Sequence, residues 1–521
     1  MLSTRARPLG ARGADLLSSH GVRGGVALGG VWLILASALA AAPAPQVGVA
    51  APQSQTQTPA AVAKSGSTLE RAAAFIDDGR FAAALALVET GANAPKLSND
   101  DADWAAYLKA RALVGLGKGD DAEATVLARY KENPNAYTWA SLVGILAARG
   151  RYEQAAAAIL DLEEESFILV NRLRAPIVDG IVAALDAGGH GALRDKVIVR
   201  LVEGGYTGPS HRVPDTLRLR YVNLLLREGR LETAAKQTQW LETPAVLSLL
   251  LTDRAFEPLW SQPSIQALLR PEALVARVDR GVQAQLELTT LSSSDWLDVM
   301  RALRVIGRAD EAVRLGLHAL TQARKEKRPA GSPLRLEVAR AYADLGDAAL
   351  ARRTAREILR EEPNAGASLR IAIAQILEIT GDDEGALLMV GTLGDAARSS
   401  QALKTTACAA HDLGRVERRD EALKVLSAMS ETAPVDLFDA YVCSGERTKA
   451  GDILAAMFKK PELRTTAVLT AQLYADPARP VSDQNDLRYR MKALVASTQV
   501  QDAIKPYARS IGLPFTIANA R

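Results

Sequence analysis

The chain has 521 residues, of which only 5% are aromatic, and a formal net charge of +3. This length exceeds one ordinary hydrophobic core, so it predicts several domains or an array of repeats. Abundant alanine and scarce alternating β-branched runs favour helices over sheets. Four arginines against one aspartate in residues 1–41 account for the net charge. The rest of the chain is therefore neutral, which gives no reason to expect a nucleic-acid partner.

The first 42 residues have the pattern of an export signal. Arginines precede an uncharged apolar run at 26–42, and Ala38-Leu39-Ala40 fits a small-residue cleavage site. The pattern predicts a cleaved signal peptide over 1–42. An N-terminal membrane anchor is the alternative, because the run has the minimum length for spanning a bilayer. Residues 43–67, rich in Ala, Pro, Gln and Thr, predict a disordered linker. We therefore expect the folded part in the periplasm or elsewhere in the cell envelope.

A helical hairpin recurs along the rest of the chain, and its clearest copy is 139–162. Trp139 opens one amphipathic helix, Gly150 turns the chain, and Ala155 lets the second helix approach closely. A turn glycine and an alanine five residues later recur in the pairs Gly79 and Ala84, Gly117 and Ala122, Gly229 and Ala234, Gly307 and Ala312, Gly346 and Ala351, Gly381 and Ala386, and Gly445 and Ala450. Several successive alanines lie 33 to 39 residues apart, a period typical of a helical solenoid.

The repeat resembles the tetratricopeptide repeat. Trp139 and Trp296 match the family's early aromatic, and Pro134, Pro363 and Pro434 match the proline that ends its second helix. Several units lack the aromatic, which leaves Sel1-like and other α-solenoid repeats as alternatives. The resemblance implies an all-α fold, an α-solenoid of tetratricopeptide-like helix-turn-helix repeats that form one or two superhelical segments. The residues expected to pack the repeats are Trp139, Gly150, Ala155, Trp296, Gly307, Ala312, Gly346, Ala351, Gly381 and Ala386.

The repeats divide into two arrays, 68–250 and 290–475. The connector at 251–289 contains Pro258, Pro263 and Pro271, which predict an irregular segment because proline interrupts a long helix. In the final segment, 476–521, an amphipathic helix from Leu487 to Ile504 is expected to cap the solenoid with a polar outer face.

The sequence contains no pattern that predicts a catalytic, cofactor or metal site. Gly115 to Gly119 looks like a phosphate-binding loop, but it occupies a repeat turn and follows a helix instead of a strand. The five histidines, none spaced as a metal pair on one helix, are His20, His190, His211, His318 and His411. Nucleophile-elbow, Walker and zinc-protease motifs are absent from the sequence. We therefore expect no enzyme activity and no cofactor.

Cys408 and Cys443 are the only cysteines. They fall on the first helices of two consecutive units, which pack side by side in a solenoid. In an exported protein such a pair is a candidate disulfide, with two buried free thiols as the alternative.

These patterns favour a non-enzymatic interaction scaffold in the bacterial cell envelope. Its concave face would bind a protein or an extended peptide, as the resemblance implies. A membrane tether would follow if the N-terminal apolar segment is retained. Two alternatives stay open. One is a polysaccharide-export or envelope-assembly factor that binds glycan, and the other is an enzyme built on a helical superhelix and acting on envelope glycans.

Overall fold

The computed structural model describes residues 68–77, 80–92, 98–208, 212–287, 293–325, 331–363, 365–475 and 487–516. The expected signal peptide and linker lie outside the described residues, as does Gly79, and these expectations stay predictions. In the described ranges, no helix has both the length and the apolar character needed to cross a membrane.

The first array is a series of antiparallel helix pairs. Its helices are α1 (Thr68–Asp77), α2 (Phe81–Ala92), α3 (Asn99–Gly115), α4 (Gly119–Glu132), α5 (Ala136–Ala148), α6 (Tyr152–Leu160), α7 (Ala175–Ala187), α8 (Gly191–Glu203), α9 (Asp215–Arg227), α10 (Leu231–Thr238) and α11 (Pro244–Thr252). A 3₁₀ helix, Glu164–Arg172, separates α6 from α7. Each odd-numbered helix from α1 to α9 packs against its successor. We call them the first and second helix of a unit.

The second array repeats this arrangement in another five units. Its helices are α14 (Ser293–Val305), α15 (Ala309–Lys325), α16 (Ser332–Asp344), α17 (Ala348–Glu361), α18 (Ala367–Ile379), α19 (Asp383–Gly391), α20 (Ser400–Asp412), α21 (Val416–Ser427), α22 (Pro434–Cys443) and α23 (Arg447–Lys459), followed by α24 (Pro461–Thr470). Both arrays together form an all-α solenoid of helix-turn-helix repeats.

The turn and the crossing inside each unit follow from two small residues. Gly150 has φ +74°, the left-handed region that only glycine enters at low cost, and it ends α5. Gly307, Gly346 and Gly381 hold the same region in the second array. Five residues after Gly150, Ala155 is fully buried against the facing helix. The alanines with the same burial are Ala122, Ala234, Ala312, Ala351, Ala386 and Ala450. Any larger side chain there would force the two helices apart.

The connector is more regular than its three prolines suggest. A 3₁₀ helix, Arg254–Leu259, and the short α12 (Pro263–Ala267) are followed by the 16-residue helix α13 (Pro271–Leu286), which packs on α14. Pro271 begins α13 at a position whose N–H has no partner inside the helix, so it starts the helix without interrupting it.

The C-terminal segment differs from the expected single capping helix. It forms β1 (Leu473–Ala475), α25 (Leu487–Val495), α26 (Thr498–Ile504) and β2 (Gly512–Thr516). Ser497 accepts a hydrogen bond from the backbone N–H of Val500 and starts α26, which breaks the predicted helix. Strand β1 pairs in parallel with β2, a two-stranded element that sequence patterning does not predict.

This tail, 487–516, joins the ends of the second array. At the beginning of the second array, strand β2 contacts α13 and α14. At the end of that array, α25 and α26 pack on α22 and α23. Helix α24 also packs on α11 of the first array. Ile504, Leu513 and Phe515 of the tail are buried. The tail is therefore an apolar joint and not the polar-faced cap that the sequence suggests.

Candidate functional site on the inner face of the arrays

Successive units of the second array approach most closely through their first helices. Helices α14, α16, α18, α20 and α22 each pack directly on the next, whereas in the described ranges the second helices make no comparably extensive contact with one another. A curved stack is tightest on its concave side, so the first helices form that side. In the first array, the first helix α3 packs in the same way on α1 and on α5. We call the surface formed by the first helices of each array its inner face.

In the first array, the inner face carries two tyrosines in contact. The rings of Tyr107 on α3 and Tyr137 on α5 meet edge to face, with centroids 5.9 Å apart. The guanidinium of Arg111 lies 5.8 Å from the centroid of Tyr107. Burial raises the pKa of the Tyr137 hydroxyl, and the positive charges of Arg174 and Arg111 oppose that rise. We call Tyr107, Arg111, Tyr137 and Arg174 the tyrosine patch.

A buried aspartate fixes the position of Tyr137. Asp103 accepts hydrogen bonds from Asn133 Nδ2 at 3.0 Å and Asn135 Nδ2 at 2.7 Å, and it is paired with Arg129. Asn135 in turn caps α5, because its side-chain oxygen accepts from the backbone N–H of Tyr137 at 2.8 Å. The start of α5 is thereby locked, and the Tyr137 ring stays 36% exposed on the inner face.

The inner face continues from the tyrosine patch along α7 and α9. Gly144 on α5 faces Ile177 on α7, where an added Cβ would make an ordinary contact of 3.6 Å with the Ile177 Cδ1 atom. Thr216 on α9 donates its hydroxyl to Asp179 on α7 at 3.0 Å. The first array therefore presents an extended surface spread over several helices, and the aromatic pair lies near one end of it.

A buried network of charges joins the first two units of the second array. Arg304 on α14 is fully buried and pairs with Glu337 and, at 2.6 Å, with Asp344, both on α16. Arg340 and Arg301 also reach Glu337, at 3.2 and 3.7 Å. Burial works to raise the pKa of Glu337, but the three arginines outweigh it and hold the pKa below its ordinary value. The network joins two neighbouring units through opposite charges.

Farther along the second array, three carboxylates lie close together. Burial raises the pKa of Glu378 to about 7, with Asp383 and Asp412 adding to the rise and Lys404 and Arg490 opposing it. Burial, together with the charge of Asp412, also raises the pKa of Asp383 to about 6. These groups sit where α18, α19 and α20 meet the tail helix α25, and two of them titrate close to neutral pH.

The sulfur atoms of Cys408 on α20 and Cys443 on α22 are joined as a disulfide, with Cα atoms 5.3 Å apart. The bond links the first helices of two neighbouring units, where the sequence places the two cysteines. Oxidation in the living cell stays a prediction.

The other residues that the sequence singles out have structural places. Trp139 is buried inside its unit, and Trp296 is half-buried beside His318. Gly117, in the run that looks like a phosphate loop, has φ +74° and turns the chain between two helices. His190 lies in the turn before α8, with its Nε2 atom 3.1 Å from the Oε1 atom of Glu153. His20 and His211 lie outside the described residues. Among the described residues, no group of three His, Cys, Asp or Glu side chains could hold a metal.

Comparison with known proteins gives a distant structural likeness only. No protein-family model matches the chain, and no curated protein matches it. The pentatricopeptide repeat protein PPR10 from maize is 14% identical, with a TM-score of 0.26, over 76% of this chain and 53% of its own. The chain therefore spans about half the length of that protein.

A second solved structure, the APC/C hetero-tetramer Cut9-Hcn1, is 10% identical, with a TM-score of 0.24, over 84% of this chain and 94% of its own. Similarity at this level carries no argument about what the chain binds.

Sequence reasoning did not identify the tyrosine patch. Tyr107 and Tyr137 belong to different units and neither lies in a recognisable motif. One signal was available, because Tyr137 sits two residues before Trp139 on the same helix and therefore points away from the buried stripe. Which residue of α3 it meets depends on how two helices pack, and the repeat pattern alone does not give that register.

Proposed function

We propose that this protein is a non-enzymatic interaction scaffold that binds another protein, or an extended peptide, along the inner face of its first array. The tyrosine patch carries the proposal. Tyrosine and arginine are the residue types that most often dominate binding energy at protein interfaces. Here they are clustered on the concave side, and the Asp103 network already fixes the backbone that presents Tyr137. A surface with little left to order upon binding retains more of its contact energy as affinity.

The charge of the patch indicates the chemistry of the partner. Arg174 is exposed, and its side chain makes no hydrogen bond or ion pair within the described ranges. Asp103, the carboxylate beneath the patch, is already occupied by Arg129 and two asparagines. A segment that combines an acidic side chain with an apolar or aromatic one would complement both the arginines and the tyrosine rings.

Export to the bacterial cell envelope is the second part of the proposal. It rests on the signal-like pattern in residues 1–42 and on two cysteines placed for a disulfide, a bond that persists in oxidising compartments. N-terminal sequencing of the protein recovered from a periplasmic fraction tests it. A new N-terminus close to residue 43 is expected, and recovery of the intact Met1 terminus in the cytosolic fraction would contradict it.

Co-purification from envelope extract tests the binding function. The full chain with a C-terminal tag is expected to retain one protein in stoichiometric amount. A Tyr137→Ser, Arg174→Ser double variant should bind this protein at least about tenfold more weakly, a loss of about 1.4 kcal/mol in binding free energy. Trp240→Ser is the matched control, since Trp240 is 56% exposed and belongs to a loop outside the patch. Retention of glycan without a protein would instead favour the glycan-binding alternative, because exposed tyrosines also stack on sugars.

A further inference from the structure

A cleft of about 330 Å³ opens where the tail helix α25 meets the end of the second array. Its walls are His411, Val442, Gly445, Arg447, Arg490 and Leu494. The volume lies at the lower end of the range of small-ligand sites. The cleft belongs to neither the tyrosine patch nor the Arg304 network, and the proposed function does not use it.

Residues of four helices, α20, α22, α23 and α25, line the cleft. His411 lies in the last turn of α20, Arg447 is the first residue of α23, and Arg490 projects from α25. Asp412 fixes Arg490 through an ion pair of 3.4 Å, in which the two side chains are 9% and 16% exposed. The cleft therefore exists only while the tail is packed on the array, and one of its cations is already oriented.

Positive charge dominates the walls. Arg447 and Arg490 both line the cleft, and arginine stays protonated at every physiological pH. Arg447 is exposed, and within the described ranges its side chain forms no hydrogen bond or ion pair. Two carboxylates adjacent in sequence to the wall residues are engaged, Asp412 with Arg490 and Glu446 with Lys449 at 3.2 Å. An anion entering the cleft would meet two guanidiniums and no unpaired carboxylate on its walls.

The remaining walls are apolar. Val442 and Leu494, which are 3% and 2% exposed, also line the cleft. A planar carboxylate matches the paired donors of a guanidinium, whereas a short apolar group matches the valine and the leucine. We propose that this cleft binds a carboxylate carried on a short apolar group. Two sources share this chemistry: a small organic acid and the free C-terminus of a peptide.

Calorimetry with the purified full chain tests the proposal. The probes are acetyl-alanyl-valine with a free carboxylate, the same dipeptide as its C-terminal amide, isobutyrate and inorganic phosphate. The free acid is expected to bind with a Kd near or below about 1 mM, and the amide at least about tenfold more weakly. Isobutyrate binding as tightly as the dipeptide would identify a small acid as the ligand, and its failure to bind would identify a peptide terminus.

Two variants locate the binding. Arg447→Gln should weaken binding of the free acid by about tenfold, whereas Lys459→Gln should leave it unchanged, since Lys459 is exposed at the other end of the same helix and outside the cleft. Arg447 is exposed, so its variant should keep the thermal stability of the wild type. Four results would each overturn the proposal. The acid could fail to bind at about 10 mM, or it could bind no more tightly than the amide. Phosphate could bind as tightly as the acid, or Arg447→Gln could leave the affinity unchanged. None of these results depends on the tyrosine patch.

Discussion

Thr516 donates its hydroxyl to the backbone carbonyl of Arg304 at 2.8 Å, across 212 residues of sequence. Arg304 is also the buried arginine that joins the first two units of the second array. The final strand of the described chain thus reaches the unit where the second array begins. A helical solenoid usually depends on contacts between neighbouring repeats only. Here the tail adds a contact between the two ends, and this changes what a local substitution should do.

The Arg509 side chain connects the tail to the connector, so removing it should destabilise both segments. Its guanidinium lies 3.8 Å from the centroid of Trp260, and its Nε donates to the Leu251 carbonyl at 2.6 Å. Arg509→Ala should lower the free energy of unfolding by about 1–3 kcal/mol and speed hydrogen exchange at 250–260. Lys505→Ala is the control, because the exposed Lys505 side chain pairs with Asp502 inside the tail, and its backbone carbonyl, which accepts from Arg254, is kept. Equal exchange in the two variants would contradict the tail's role as a joint.

The buried network around Arg304 should be costly to break from one side. Arg304→Ala leaves Glu337 and Asp344 buried without their main cation, which predicts a loss of about 3–5 kcal/mol. Arg353→Ala, at a residue with an exposed side chain on α17, should change stability by less than about 0.5 kcal/mol. Urea denaturation of both variants measures the difference. A loss of less than about 1 kcal/mol for Arg304→Ala would show that the network is not stabilising the fold.

The pKa of Glu378 predicts a loss of stability as the pH rises. In the folded protein this pKa lies at about 7, above the ordinary 4.5, so the folded state binds the proton more tightly than the unfolded state. The free energy of unfolding should therefore fall between about pH 4.5 and about pH 7 and stay lower above that window.

Glu378→Gln should flatten this slope and raise stability at about pH 8 by roughly 1–2 kcal/mol, a value reduced for solvent screening and for the coupled carboxylates. Glu384→Gln, at an exposed carboxylate on the neighbouring helix α19, should keep the wild-type slope. The measurement is urea denaturation at a series of pH values. A Glu378→Gln variant with the wild-type slope would assign the pH dependence to other groups.

The two cysteines should be oxidised in protein recovered from the cell envelope. Both cysteines are buried, so the protein is alkylated in denaturant. Intact-mass measurement should then show no label without reductant and two labels after reduction. Cys443→Ser should expose one thiol at Cys408. Two labels on the unreduced wild type would mean that the cysteines are free thiols. Because the bond closes a loop of 35 residues, reduction should lower the stability by about 2–4 kcal/mol.

The repeat fold can be predicted from the sequence because the residues that specify it act within one repeat. Gly150 and Ala155 act within one unit, where a left-handed turn and a close crossing allow few other residues. The fold of the tail cannot be predicted in the same way. Leu473 pairs with Gly512 through strands of three and five residues, which are too short to show a clear hydrophobic alternation. The tyrosine patch and the cleft lined by Arg447 cannot be predicted from the sequence either, for a related reason. Each needs the relative placement of helices from different units.

Site-specific photo-crosslinking in the bacterial envelope tests the central claim most directly. A photo-crosslinking amino acid replaces Tyr107 on the inner face, or Ala157, an exposed residue of the second helix α6. We expect one discrete protein adduct from position 107, none from position 157, and loss of the adduct when Arg174→Ser is added. Adducts of equal yield from both positions, or none from position 107, would contradict a scaffold that binds its partner on the inner face.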